Sequence, residues 1–217
     1  MSLPIHDLSS RSPHLWQPLA GGLSLQRGRV HEFCGPARIT LAALLMAKTQ
    51  GVVIWVHPGW TSEWLNPSGL CSLADPARLI FLRATREDDI LWAGEEALRS
   101  GAAPLVVMDL DTPPALTPVR RLHLAAEAGA AAARNDTGLP PLGVMLLAEQ
   151  GGAQGAESRW HAAPAPGSGL LADPQRAWTL TRIRARMEMP AQWRLLRGAN
   201  GTETLTPQPF AAHNTAT

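Results

Sequence analysis

The first residues whose types and spacing suggest chemistry form a short turn between a strand-like run and a helix-like run. The sequence GPARIT at residues 35–40 follows the apolar run VHEFC and leads into the helical run ITLAALLMAK. A phosphate-binding loop needs the pattern G-x-x-x-x-G-K-[S/T], so that backbone amides and a lysine hold the phosphates. Here the second glycine and the lysine are absent. The pattern alone is equally that of an ordinary strand-to-helix turn. As a vestigial nucleotide site, it would retain Gly35, Pro36, Arg38 and Thr40.

A carboxylate follows another apolar run, as the second motif of a nucleotide site would require. Residues 106–108 are Val-Val-Met, and Asp109 comes directly after them. ATP hydrolysis also needs a group that positions the attacking water. The run at residues 52–56 leads instead to His57, and the nearest carboxylate is Glu63. The sequence therefore predicts a pseudo-ATPase with no catalytic residue, cofactor or metal. A divergent ATP-binding protein or ATPase is the alternative.

Arginines at period two form a second candidate site late in the chain. Residues 178–187 read WTLTRIRARM, so a strand here would project Arg182, Arg184 and Arg186 from one face. Three like charges on one face repel each other unless acidic groups lie opposite. The pattern indicates either a solvated face that blunts a sheet edge, or a surface that contacts phosphates or an acidic partner.

An arginine and a tryptophan stand side by side in a glycine-rich stretch. Residues 151–169 contain five glycines, which predicts a long loop, and Arg159 and Trp160 lie within it. An aromatic ring beside a guanidinium can stack on the bases of single-stranded DNA. The alternative is that Trp160 fixes the loop to the domain. Both residues are therefore candidate contacts for DNA or a protein partner.

The elements that must position these residues follow from the apolar pattern. Short β-branched runs alternate with longer runs of helical spacing, which predicts an α/β fold with a mostly parallel sheet and helices on both faces. Thr117 and Pro118 have the residue types of an N-cap and a first helical position, and Gly101 has that of a C-terminal cap. The predicted strands are residues 30–34, 52–56, 79–82, 104–108 and 143–147, then a late antiparallel pair at 177–187 and 193–197. The predicted helices are residues 39–48, 88–100 and 118–134.

The two ends of the chain differ in composition from its middle. Residues 1–22 are rich in Pro, Ser and Gly, which predicts an N-terminal arm. Residues 198–217 predict a disordered tail. The intervening residues 23–197 have the size of one α/β domain.

Composition argues against several classes of function. A net charge of +1 gives no overall field that would attract nucleic acid or a membrane, although residues 151–217 hold seven Arg against four acids. Cys34 and Cys71 form neither a disulfide framework nor a metal pattern. No apolar run approaches the roughly 20 residues of a spanning helix, and the start of the chain has no apolar signal core. The sequence therefore predicts a cytoplasmic protein without membrane contact.

Several stretches, taken in order, resemble one known family. Residues 28–36 resemble the segment that leads into the ATP loop of RecA-type recombinases. Residues 106–109 resemble the second nucleotide motif of the same fold. The likeness extends through residues 116–129, 158–164, 178–186 and 193–195. Together they make the chain similar to the ImuA family, the RecA-related accessory proteins of bacterial SOS mutagenesis.

The resemblance implies both a fold and a function. Residues 23–197 would form a RecA-like domain of the P-loop type with a degenerate Walker A loop. The protein would support damage-induced translesion DNA synthesis through an ImuB-like protein of Y-family type and an error-prone DnaE-type polymerase. RecA and single-stranded DNA are further implied partners. Because such proteins are often named SulA-like, a cell-division inhibitor that binds FtsZ is a second alternative.

Overall fold

The computed structural model describes residues 15–62, 65–133, 138–168 and 175–210, which form a mixed α/β fold around a nine-stranded sheet. Two further strands pair as a small antiparallel hairpin. The strands of this part of the chain are β1 Trp16–Ala20, β2 Leu23–Gln26, β3 Val30–Cys34, β4 Val53–Pro58, β5 Leu79–Ala84, β6 Leu105–Asp109, β7 Leu142–Leu147, β8 Ser158–Ser168, β9 Gln175–Ala185, β10 Ala191–Arg197 and β11 Glu203–Gln208.

The large sheet is parallel in one part and antiparallel in the other. Its order is β11-β10-β9-β8-β3-β7-β6-β4-β5, and neighbouring strands from β8 to β5 run parallel. The strands β8 to β11 pair antiparallel. The predicted mostly parallel sheet with late antiparallel strands is therefore confirmed. Each of the five predicted core strands is found, with its ends within two residues of the predicted ones.

Helices cover both faces of the sheet. One face packs against α1 and the β1–β2 hairpin, and the other packs against α3 and α4. Side chains alternate along β3 between the two faces of the sheet. Phe33 therefore packs in the first core, and Val30 and Cys34 pack in the second. The helices of the described chain are α1 Arg38–Lys48, α2 Pro67–Leu70, α3 Glu87–Ser100 and α4 Leu116–Ala133, with a 3-10 turn at Pro76–Arg78.

The ends of α3 and α4 follow from local sequence to different degrees. Three acidic residues in the first turn of α3 complement the helix dipole, and Gly101 caps its end with a φ of 67°, as predicted. The helix α4 begins at Leu116, so Thr117 lies inside it and is not the N-cap before Pro118 that the sequence suggested. Arg134, the predicted last residue of this helix, lies outside the described residues.

The start of the chain is not an arm throughout. β1 pairs with β2, and Leu19 is fully buried against the α1 core. The side-chain amide of Gln17 donates to the backbone carbonyl of Lys48 at 2.9 Å, which ties the hairpin to the end of α1. The Pro- and Gly-rich composition concealed these strands because they are short and meet at a glycine turn. Residues 1–14 lie outside the described part of the chain.

A strand replaces most of the loop predicted at residues 151–169. β8 pairs parallel with β3 and antiparallel with β9. The carbonyl oxygen of Ala162 accepts from the amide of Ala37, so the polar backbone groups of Ala162 point away from β9. Pro164 lies two residues later, so its nitrogen also points away from β9. Because a proline nitrogen carries no hydrogen, only this orientation leaves the hydrogen bonds between β8 and β9 intact. The loop prediction was wrong because a proline is tolerated at such strand positions.

The tail prediction is also wrong over part of its length. β11 forms an edge strand of the large sheet, paired with β10. The side chain of Glu203 is 8 % exposed and makes ion pairs with Lys48 and Arg197. These pairs connect the last strand to α1 and β10, so the domain includes β11. Residues 211–217 lie outside the described residues.

The sequence predicted neither a spanning segment nor a disulfide. In the part of the chain that the structure describes, the helices are too short or too polar to cross a membrane. Both cysteines are free thiols, Cys34 in the core and Cys71 at the surface. A cytoplasmic location stays a prediction.

Candidate functional site

The turn that resembles a phosphate loop is closed by the neighbouring strand β8. Gly35 has a φ of 87°, and a Cβ there would lie 2.6 Å from the carbonyl oxygen of Ala162 and 2.6 Å from Nε2 of His161. The backbone N–H of Ala37 donates to the same carbonyl at 2.9 Å. The space beside the turn is therefore filled by β8, and an amide of the turn is already bonded.

The other residues of the vestigial site lie around the start of α1. Pro36 is exposed, and Arg38 and Thr40 are partly buried. Nη1 of Arg38 lies 3.5 Å from the carbonyl oxygen of Gly35, while its buried Nε has no hydrogen-bond partner among the described residues. Lys48, the only lysine of the sequence, forms its ion pair at the far end of α1. The turn therefore has an arginine beside it and no lysine.

A carboxylate, an imidazole and a hydroxyl meet where β4 and β6 end. Oδ2 of Asp109 lies 3.4 Å from Nδ1 of His57, and Oγ1 of Thr61 lies 3.2 Å from Nε2 of the same ring. Because β4 and β6 are parallel neighbours, their last residues meet at the edge where open α/β sheets bind ligands. His57 and Asp109 are far apart in the sequence, and their local patterns do not predict that they meet. The available signal was that both His57 and Asp109 are polar residues at strand ends.

Burial dominates the electrostatics of this cluster. Desolvation raises the pKa of Asp109, and the charge of Arg38 and the contact with His57 oppose that rise. The hydroxyl of Thr61 also lies 3.3 Å from the carbonyl oxygen of Pro58, within its own turn. The hydroxyl can donate to this carbonyl or to the ring, and the contact between His57 and Asp109 joins the ends of β4 and β6.

Further acidic side chains lie near this cluster in the sequence. Asp111 accepts a hydrogen bond from Nε1 of Trp60 at 2.7 Å. Glu63, which the sequence suggested as the nearest carboxylate after β4, lies outside the described residues. Over the ranges that are described, three or more His, Cys, Asp or Glu side chains nowhere gather as metal ligands would. The absence of a metal and a cofactor stays a prediction.

A β-bulge interrupts the predicted arginine face. Arg159 of β8 lies opposite Arg184 of β9. Trp160, the next residue, lies opposite Arg182, so β9 carries one extra residue at this point. Because consecutive residues of β8 point to opposite faces of the sheet, Arg182 and Arg184 do so as well. The prediction that Arg182, Arg184 and Arg186 project from one face is therefore wrong.

Arg182 is a residue of the core. Its side chain is 11 % exposed, and its guanidinium carbon lies 5.5 Å from the ring centroid of Trp160 and 5.2 Å from that of Trp193. It forms an ion pair with Glu188 and donates to the carbonyl oxygen of Met189 at 3.1 and 2.9 Å. Its charge is thus matched within the domain, where it fixes the turn between β9 and β10.

Trp160 and Arg159 also serve the core. Trp160 is 1 % exposed and stacks on Trp193 with 5.9 Å between ring centroids. Arg159 pairs with Glu32, which is fully buried and also accepts from the amide of Gly152 at 2.6 Å. A ring buried in this way cannot stack on nucleic-acid bases, which removes Trp160 from the candidate DNA contacts. The structure agrees with the alternative, in which Trp160 fixes its segment to the domain.

A buried histidine that the sequence did not single out links three strands. Nδ1 of His31 lies 2.6 Å from Oγ of Ser158, and Nε2 lies 2.9 Å from the carbonyl oxygen of Gln26. Since Nε1 of Trp160 donates to the same Oγ at 2.8 Å, the hydroxyl donates to Nδ1 and Nε2 carries the ring proton. Burial lowers the pKa of His31 to about 4. The ring is therefore neutral near pH 7.

The exposed part of the arginine pattern lies at the turn between β9 and β10. Arg184 and Arg186 are exposed, and Met187 and Met189 are 83 % and 81 % exposed. Arg186 lies 3.8 Å from a carboxylate oxygen of Glu157, and Arg184 has no ion pair with any described residue. The set Arg184, Arg186, Met187 and Met189 is called the arginine–methionine surface below. Two apolar residues in a polar turn were the sequence signal for it.

Comparison with known proteins does not assign the chain to a family. No family model matches the sequence, and no curated protein matches it significantly. The likeness to the ImuA family therefore rests on the motifs of the chain itself.

Proposed function

We propose that the protein is a non-catalytic, RecA-like accessory protein that supports damage-induced translesion DNA synthesis, as its likeness to the ImuA family implies. The observation that carries the proposal is the closed turn at Gly35. The amide of Ala37 is bonded to Ala162 of β8, and His161 fills the adjoining space. A domain that retains the strand and helix of a nucleotide site but closes the turn between them suits partner binding without ATP turnover.

The sheet order supports a RecA-like domain of the P-loop type. β3 lies among the parallel strands between β8 and β7, and its chain passes directly into α1. A P-loop domain likewise has its phosphate turn between a strand and the helix that follows it. β6, which ends in Asp109, lies two strands away from β3. The placement of the elements therefore favours this ancestry although the motif residues have changed.

The ends of the strands support the absence of ATP hydrolysis. β4 ends in His57 and Pro58, in place of the carboxylate that would position the attacking water. Asp109, the remaining acidic residue of the second motif, is engaged by His57. The vestigial site thus supplies structure to the sheet edge.

The proposed partners are an ImuB-like protein, an error-prone DnaE-type polymerase and RecA. Two exposed surfaces favour protein contacts. One is the edge strand β5, where Ile80, Phe81 and Leu82 are 37–48 % exposed. The other is the arginine–methionine surface. The burial of Trp160 removes the aromatic contact on which direct binding of single-stranded DNA depended.

A divergent ATP-binding protein is the second candidate function, and one observation favours it. Arg38 lies in the first turn of α1, where the helix dipole favours anions, and its buried Nε has no hydrogen-bond partner among the described residues. A phosphate at this position would satisfy that donor. ATP binding and turnover by the purified protein distinguish the two candidates.

Damage-induced mutagenesis tests the proposed function. Deleting the gene should lower the frequency of mutations after ultraviolet irradiation to near the uninduced level, and a plasmid copy should restore it. Overexpression without damage should leave cell length unchanged, which separates this function from inhibition of FtsZ. Equal induced mutation frequencies with and without the gene would contradict the proposal.

A further inference from the structure

We propose that the arginine–methionine surface binds an acidic protein segment that carries large apolar side chains. The inference rests on the proposed function, in which contacts with protein partners replace ATP chemistry. It concerns Arg184, Arg186, Met187 and Met189, and its occupant is a partner polypeptide. The reasons are the exposure, the rigidity and the charge of this turn.

The two methionines supply the apolar part of the surface. Met187 and Met189 are more exposed than any other large apolar side chain of the described residues, at 83 % and 81 %. Methionine is enriched at protein interfaces because its flexible, polarisable side chain adapts to varied partners. Both methionines border a surface cavity of 480 Å³ that is lined by residues 183–190. An apolar side chain of the partner can occupy this cavity.

The turn is fixed before any partner binds. Arg182 donates twice to the carbonyl oxygen of Met189 and pairs with Glu188, while its guanidinium lies near the rings of Trp160 and Trp193. Because the backbone of the turn is bonded to the core, a partner need not order it and loses less entropy on binding. The backbone at Met189 is therefore held in place, while both methionine side chains stay exposed.

The charge of the surface is positive. Glu188, the acidic residue within the turn, already pairs with the core arginine. Glu157 is 9 % exposed and lies 3.8 Å from both Arg29 and Arg186. Arg184 makes no ion pair within the described ranges. Carboxylates of a partner would meet guanidinium donors that the domain itself leaves largely unused, and the fork geometry favours carboxylates.

Nucleic acid fits this surface less well than an acidic polypeptide. Exposed methionines offer phosphates no hydrogen bond, and two arginines supply few of the phosphate contacts on which DNA affinity depends. Single-strand binding also uses aromatic rings that are open to bases. Of the rings near this surface, Trp160 is buried and stacks on Trp193, and Trp16, which lines one cavity with Arg186 and Met187, is partly buried.

Fluorescence anisotropy with the purified full-length chain tests the proposal. The probe is a short fluorescein-labelled peptide in which Asp alternates with Leu and Phe. One comparison peptide has Lys in place of Asp, and a second has Ser in place of the apolar residues. Labelled oligothymidylate is the nucleic-acid probe. We expect saturable binding of the first peptide alone.

Variants of the surface locate the binding site. The pair Arg184→Glu and Arg186→Glu should weaken binding of the acidic peptide by at least about tenfold. The pair Met187→Ser and Met189→Ser should weaken it several-fold. All four side chains are exposed or lie at the turn, so circular dichroism should show an unchanged fold.

An exposed pair elsewhere on the domain provides the control. Arg120 and Leu124 lie one turn apart on α4, both exposed, with Leu124 at 64 %. The variant Arg120→Glu with Leu124→Ser makes one charge reversal and removes one apolar side chain, where each surface pair makes two changes of one kind. It should bind the peptide like the wild type.

Three results would overturn the proposal. These are no saturable binding of the acidic peptide, equal binding by the surface variants and the α4 control, and oligothymidylate binding that the same surface variants abolish. The last would assign the surface to nucleic acid. Peptide binding at this surface without a mutagenesis phenotype would contradict the proposed function and leave the surface assignment standing, so the two failures are distinguishable.

Discussion

Several side chains that suggest function by their type are instead partners in buried polar contacts. Arg182 pairs with Glu188, Arg159 pairs with Glu32, and His31 links β3 to β2 and β8. Burial of a charged or polar group is costly unless it finds such a partner. In this protein Arg159 and His31 join β8 to β3, where the antiparallel and parallel parts of the sheet meet, and Arg182 fixes the turn between β9 and β10.

The buried His31 predicts a loss of stability in acid. Its pKa is about 4 in the folded protein and near 6.5 when unfolded. The unfolded chain thus binds the proton first as pH falls from about 6.5 to about 4, and the free energy of unfolding drops by about 3 kcal/mol. Above about pH 6.5 the contribution of His31 to the free energy of unfolding is constant. His123, whose pKa burial also lowers, acts in the same direction.

Urea unfolding from about pH 7 to about pH 4 measures this effect in the wild type and in His31→Gln. The glutamine amide retains a donor and an acceptor but does not titrate, so the variant should lose less stability over this range. Comparing how steeply the free energy of unfolding falls with pH in the two proteins removes any cost of the substitution that does not depend on pH. An equal slope in both proteins would show that His31 does not titrate as its burial requires.

The sequence could predict those elements whose apolar pattern is long or fully buried. The five parallel core strands, the helices α1, α3 and α4 and the late antiparallel strands β9 and β10 are of this kind. The strands β1, β2, β8 and β11 were missed because each mixes Gly, Pro or polar residues with few apolar ones and gains its stability from pairing. The bulge in β9 could not be predicted, since it depends on register with β8.

The turn between β3 and α1 gives a prediction at the scale of elements. Gly35→Ala adds a Cβ 2.6 Å from the carbonyl oxygen of Ala162 at a φ of 87°, so strain and a backbone clash combine. We expect a loss of about 3 kcal/mol in the free energy of unfolding, measured with urea.

A second glycine separates the strain of the left-handed backbone from the clash with β8. Gly138 has a φ of 70°, and no described atom lies within 4 Å of the position that a Cβ would take there. Gly138→Ala should therefore cost only about 1 kcal/mol, which is the strain of the left-handed conformation alone. Equal losses in the two variants would mean that β8 does not close the turn at Gly35.

For the whole molecule, sheet order determines which residues can act together. Thr61, His57 and Asp109 meet only because β4 and β6 are neighbours, and the closure of the Gly35 turn requires β8 beside β3. Neither pairing is visible in local sequence. The sequence therefore indicated Gly35 and Asp109 singly, and it did not predict their contacts with β8 and with His57. The arginine–methionine surface likewise depends on where the β9–β10 turn leaves the core.

ATP hydrolysis by the purified full-length protein is the direct test of the proposal that this α/β domain works without turning over ATP. The rate is measured with Mg²⁺, with and without single-stranded DNA, beside the variant Asp109→Ala. The closed turn at Gly35 and the absence of a carboxylate at the end of β4 predict a rate at the buffer background in every case. A DNA-stimulated rate that Asp109→Ala abolishes would contradict the account.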